Sequence, residues 1–160
     1  MTDLVNTLLT EVGNRIGFDD FSLNAENQLF LGLENELTMS IIWREETETL
    51  LFNSLVNSRE GNNLQLLQTL MQANCVFADS HAMAFNISPA NNHINLSMVV
   101  TISDRSSYAL HNKLDMFIRT AAAWHSSLKN PEALAPNWEH PNLTKINNNN
   151  NDFETFGARV

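Results

Sequence analysis

The residues able to carry chemistry are few and scattered. Five histidines, His81, His93, His111, His125 and His140, are separated by 12, 18, 14 and 15 residues. None falls at the HxxxH, HxH or HExxH spacings that aim two imidazoles at one metal ion. His81 and His93 open two neighbouring predicted strands and could meet, although polar strand ends produce the same pattern. Cys75 is the single cysteine, so there is neither an internal disulfide nor a cysteine pair for zinc. At the end of a predicted helix it reads as a buried small hydrophobe, the usual state of a free cysteine. The adjacent carboxylates Asp19-Asp20 and Glu45-Glu46 fall in predicted turns, where water keeps both ionised and denies either the raised pKa of a general acid. There is no GxxxxGK[ST] phosphate loop, no GxGxxG and no GxSxG elbow, and only five glycines occur in the chain. No catalytic residue, metal ligand or cofactor is assigned, and the balance moves from enzyme towards binding protein.

The elements that hold these residues must come from a chain of 160 residues, 43% hydrophobic and 17% charged. That length suits one core, and the composition is rich enough to bury it. Uncharged polar groups replace much of the usual charge, with 23 asparagines in the chain. The net charge of −9 repels phosphate backbones and anionic bilayers, which argues against nucleic-acid and membrane partners. No apolar run approaches the roughly 18–20 residues that span a bilayer. The N-terminus lacks a basic segment ahead of its apolar part, so no secretory signal is expected. A cytoplasmic, reducing environment is the simplest home for one lone cysteine. The acids are concentrated early: residues 1–60 hold 11 acids against 3 bases, and residues 61–160 hold 7 against 6. A solvated face that keeps the protein soluble accounts for this.

Leu4, Val5, Leu8, Leu9, Val12 and Ile16 recur at three- and four-residue steps and predict a helix capped by Thr2 or Asp3 and ended by Gly17. The stripe is narrow, so part of it can face a partner. Over residues 18–55 the period changes to two. Leu29, Leu31 and Leu33, then Leu37, Met39, Ile41 and Trp43, then a run from Glu48 to Leu55, predict a three-stranded antiparallel meander. If these alternating residues face the core, Phe30, Ile42 and Leu51 face away from it. They are then either covered by another layer or left as an apolar patch for a partner.

Residues 62–75 predict a helix without a charged side chain. Leu66, Leu70 and Ala73 lie on one face, and Leu64, Leu67 and Met71 on another, so the helix needs two covers. One is its own sheet and the other, by a two-fold axis, a second copy of the chain. Residues 81–88 and 93–103 predict two further strands joined by Pro89-Ala90-Asn91-Asn92. Residues 105–128, capped by Ser103 or Asp104, predict a closing helix with the stripe Leu110, Leu114, Phe117, Ala121, Trp124 and Leu128. The reading is one α+β domain over residues 1–128, ordered α-β-β-β-α-β-β-α, with a twisted antiparallel sheet packed against helices. Residues 129–160, rich in proline and asparagine, form a tail expected to be largely disordered.

That order resembles the class I chaperones of bacterial type III secretion, the Tir-chaperone (CesT-like) family. The run Leu66-Leu67-Gln68-Thr69-Leu70-Met71-Gln72-Ala73-Asn74 is similar to the family's central-helix pattern, leucines followed by a small residue and Asn ahead of the fourth strand. Ala82–Ile87, Ile94–Val100 and the helix ending Phe117–Trp124 resemble its strand pair and closing helix. The tail departs from the family pattern.

The resemblance implies a cytoplasmic bacterial homodimer that binds the extended N-terminal segment of a secreted effector, keeps it secretion-competent and hydrolyses no ATP. An extended segment can bond a sheet edge while its side chains enter pockets. The pocket residues expected are Leu4, Leu8, Val12, Phe30, Ile42 and Leu51, and the expected dimer seam is Leu64, Leu67 and Met71. The rival is a small-molecule-binding or hydrolytic α+β domain with an enclosed pocket.

Overall fold

The structure, a computed structural model, describes residues 2–57, 64–80, 82–102 and 106–129. The elements run α1 (Thr2–Ile16), β1 (Gln28–Gly32), β2 (Thr38–Arg44), β3 (Thr49–Asn57), α2 (Leu64–Ser80), β4 (Met83–Ile87), β5 (Ile94–Thr101) and α3 (Ser107–Lys129). This is the predicted α+β order. The strands form one antiparallel sheet in the order β1-β2-β3-β5-β4. The two connections within the meander are single turns of 3₁₀ helix, Glu34–Glu36 and Glu45–Thr47.

The two-residue period sets the sheet's faces. Met39, Ile41 and Trp43 on β2, and Leu50, Phe52 and Val56 on β3, are buried together with Leu96, Met98 and Val100 on β5. The three helices cover this side: α3 packs on β3 and β5, α2 on β4, and α1 on α3. The predicted α3 stripe is buried throughout, from Leu110 to Leu128. Its Phe117 meets Phe52 edge-on at 5.7 Å, and Trp124 meets Phe85 at 4.7 Å. The predicted caps Ser103 and Asp104 lie outside the described residues. Ser106 does the capping instead, its Oγ accepting from the Ala109 N–H at 3.3 Å.

Three expectations are corrected. Leu8 and Val12, placed above among residues facing a partner, are 5% and 0% exposed and belong to the core. The reason is that α1 is covered by α3 and by the connector after it. Phe21 and Leu23 of that connector are buried, and the Leu23 N–H bonds the Asn6 carboxamide oxygen at 2.9 Å. Secondly, the helix predicted over 62–75 continues to Ser80, burying Phe77 on its inner side. Thirdly, Cys75, expected to be buried, is exposed, because it lies one turn beyond Met71 on the outer side of α2. The tail expected beyond residue 128 lies outside the described residues, apart from Lys129 at the end of α3.

Candidate partner-binding surfaces

The face of the sheet away from the helices has no covering layer among the described residues. Register places Ile42 opposite Leu51 and Leu51 opposite Val99, so these three form an apolar row across β2, β3 and β5. Val99 is 45% exposed, and Ile42 and Leu51 are half-buried by their neighbours. The next row runs Phe30, Ser40, Asn53 and Ser97. Here Phe30 is 66% exposed, while the other end of the row is held by polar side chains. Ser97 Oγ donates to Asn53 Oδ1 at 2.8 Å and accepts from Asn86 Nδ2 at 2.7 Å. Phe30, Ile42 and Leu51 therefore share one surface, as their alternation predicts. Leu4 is half-buried against the core, on the opposite side of the sheet.

The two edges of the sheet are unlike. At β4 the centre of the edge is taken: Phe85 donates its N–H to Asn74 Oδ1 at 2.6 Å, and its carbonyl accepts from Asn74 Nδ2 at 3.1 Å. At β1 the odd residues bond β2, a phase fixed by Trp43 N–H to Asn27 O at 2.9 Å and Leu33 N–H to Leu37 O at 2.8 Å. Gln28, Phe30 and Gly32 thus turn their backbone polar groups outwards. Asn24 pairs with Gln28 through its own N–H and its Oδ1. Phe30 and Gly32 keep an open edge among the described residues, the geometry that accepts an added strand.

A second apolar surface lies on α2. Leu64 is 70% exposed and Met71 64%, with Leu67 half-buried and Cys75 and Val76 exposed beside them. Leu66, Leu70, Ala73 and Phe77 occupy the buried side. This is the two-sided helix the sequence predicts.

Every acid described in residues 2–57 is exposed. Glu36 makes a surface ion pair with Lys129 at 3.5 Å, of the kind that contributes little to stability.

Among the described residues, no cluster of catalytic groups is seen. His81 and His140 lie outside the described residues. His93 sits in the β4–β5 hairpin, whereas His111 and His125 lie on α3. His125 Nδ1 is 3.0 Å from the Val56 carbonyl, which can only accept, so that nitrogen carries the proton. Among the described residues no three His, Cys, Asp or Glu side chains are placed to hold a metal ion. A cleft lined by Leu8, Val100, Ser106 and Leu110 has a volume of about 20 Å³, room for one water and no more. No helix among the described residues is long and apolar enough to cross a membrane.

Comparison with known families finds a match over residues 7–125 to the model of the Tir chaperone protein (CesT) family. The chain belongs to that family. Its fold recurs in solved structures. A chain of the ExsC-ExsE complex superposes with a TM-score of 0.70 at 20% identity, covering 79% of this chain and 94% of that one. For the HopA1-SchA chaperone-effector complex the TM-score is 0.67 at 10% identity, with 77% and 94% covered. For the Yersinia pestis type III secretion chaperone SycH in complex with a fragment of YscM2 it is 0.59 at 16% identity, with 74% and 98% covered. Comparison with curated proteins finds no match. As a Tir-family chaperone, this chain has an asparagine in its central helix that pairs with the fourth strand, giving that part of the resemblance a physical meaning.

Proposed function

We propose that this protein is a cytoplasmic type III secretion chaperone. As a homodimer it holds the N-terminal segment of a secreted effector in extended form and releases it without ATP. One observation carries the reading: among the described residues, a single chain leaves two separate apolar surfaces uncovered, the outer side of α2 and the outer face of the sheet beside an open edge. Monomeric soluble proteins seldom expose contiguous apolar patches without a partner for them. The α2 surface, on one helix, suits a second copy meeting it across a two-fold axis through Leu64, Leu67 and Met71. The sheet surface suits an extended client: main-chain bonds at Phe30 and Gly32 give affinity, and Phe30, Ile42 and Leu51 give side-chain contact. The exposed acids keep these apolar surfaces in solution and draw in basic segments.

Co-expression with a candidate secreted protein tests the reading. A soluble complex that is lost on Phe30→Asp or Ile42→Asp supports it. A candidate client that binds equally well in both variants removes the sheet face from the reading. Light scattering of the free chaperone gives the oligomeric state.

A further inference from the structure

The open edge of β1 is short, and its two ends are alike in charge. Asn24 occupies the outward groups of Gln28, and beyond Gly32 the chain turns through Glu34–Glu36. Phe30 and Gly32 remain, so an added strand gains at most four main-chain bonds over three residues. So few bonds do not offset the ordering of an extended segment, and side chains must supply the rest. At Gly32 they have somewhere to go. Apart from Gly32 itself and its two chain neighbours, no described atom lies within 4 Å of the point a Cβ would occupy, and the next outward residue along the strand is the exposed Phe30. A residue opposite Gly32 on an added strand would sit over this vacancy, where a bulky ring shields an edge glycine and stacks beside Phe30.

Acids bracket the vacancy. Asn27 is level with Trp43, so Glu26 lies at the end of the sheet that carries the turn with Glu45, Glu46 and Glu48. Glu34 and Glu36 lie at the other end, and all six carboxylates are exposed. The bases described at these ends are Arg44 and, on Glu36, Lys129.

We propose that the β1 edge selects, within the client, a short extended segment with an aromatic residue opposite Gly32 and lysine or arginine on both sides. This rests on the client-binding reading above and names what that site prefers.

The probes are three fluorescein-labelled synthetic peptides: Lys-Lys-Thr-Val-Thr-Phe-Thr-Val-Thr-Lys-Lys, the same with Gly for Phe, and the same with Glu for every Lys. Binding to the full chain is read by fluorescence anisotropy at low salt. The first peptide is expected to bind at least about ten-fold more tightly than either other, and the Lys-over-Glu preference is expected to shrink as salt screens it. Gly32→Trp fills the vacancy from within the chain and abolishes the preference for Phe over Gly. The paired change Glu26→Lys and Glu34→Lys weakens or reverses the flank preference without touching the vacancy. Equal affinity for all three peptides, no binding of any, or a Phe preference that survives Gly32→Trp in a folded variant overturns the inference. Capture of a co-expressed client that is lost in Ile42→Asp but retained in Gly32→Trp also overturns it, while leaving the chaperone reading intact.

Discussion

The carboxamide of Asn74 bonds both backbone polar groups of Phe85, accepting its N–H at 2.6 Å and donating to its carbonyl at 3.1 Å. One side chain of α2 thereby stands where a sixth strand would pair with β4. The bond pair also fixes how α2 is turned about its axis: Leu70, Ala73 and Phe77 face in, and Met71 and Cys75 face out. Among the described residues the two edges of the sheet differ, β4 plugged at its centre and β1 open at Phe30 and Gly32.

Replacing Asn74 by Ala leaves both Phe85 groups without a partner in a part-buried setting. The expected loss is about 1–3 kcal/mol, which for a chain of this size lowers the melting temperature by roughly 2–4 °C per kcal/mol. The direct reading is hydrogen exchange at the Phe85 amide, expected to accelerate well beyond that of the β3 and β5 amides. Asn74→Asp keeps an acceptor for the N–H but sets a carboxylate oxygen against the Phe85 carbonyl, so it too is expected to destabilise. Unchanged exchange in both variants would show that the pair does not hold the edge.

Gly13 offers a test in which two effects oppose each other. In an exposed helix, Gly→Ala stabilises by roughly 0.8–1 kcal/mol. Here a Cβ would collide with Phe21 Cβ and lie 3.1 Å from the Phe18 carbonyl oxygen. Neither is the far end of a flexible side chain, so overpacking of about 1–3 kcal/mol wins. Gly13→Ala is expected to melt below the native protein, whereas Gly32→Ala, with open space around it, is expected to melt at or slightly above it.

Strand phase and the contact of Gly13 with Phe21 mark what is legible in the sequence and what is not. Strand phase is a local property, and the alternation through Met39, Ile41 and Trp43 already assigned Phe30, Ile42 and Leu51 to the opposite face. The connector after α1 has no period, so nothing in the order of residues announced that Phe21 would be buried against Gly13. Without that cover the stripe on α1 reads as half-free, which is why the sequence alone puts Leu8 and Val12 on a partner surface. Cys75 follows Met71 by four residues, so helical spacing alone puts it on the outer stripe of α2, and position overrides the usual burial of a free cysteine. The role of Asn74 is a contact across 11 residues and a change of element, which no local pattern encodes.

The seam on α2 is tested by charge placed on each of its sides. Met71→Asp, at a position 64% exposed, is expected to leave a folded monomer by light scattering at concentrations where the native protein is expected to form the proposed dimer. Leu70→Asp, at 4% exposed, buries an unpaired carboxylate and is expected to prevent folding altogether. Native Cys75 is a built-in reporter one turn from Met71. A short bismaleimide should join two copies through it, and Met71→Asp should abolish that product. A monomeric native protein, or a dimer indifferent to Met71→Asp, removes the seam.

Core and client surface are separated by asking which property each residue controls. Leu8 is 5% exposed among apolar neighbours, so Leu8→Ala is expected to cost about 2–5 kcal/mol of stability and to leave client affinity unchanged wherever the protein remains folded. Ile42 is half-buried in the row with Leu51 and Val99. A carboxylate there can still reach water, so Ile42→Asp is expected to change stability by less than Leu8→Ala while weakening client binding at least about ten-fold. Denaturant unfolding of each variant, paired with titration of a co-expressed client, gives both quantities. The reverse pattern, with Leu8→Ala abolishing binding at native stability and Ile42→Asp binding normally, would place the client on α1, the side of the sheet assigned here to the core.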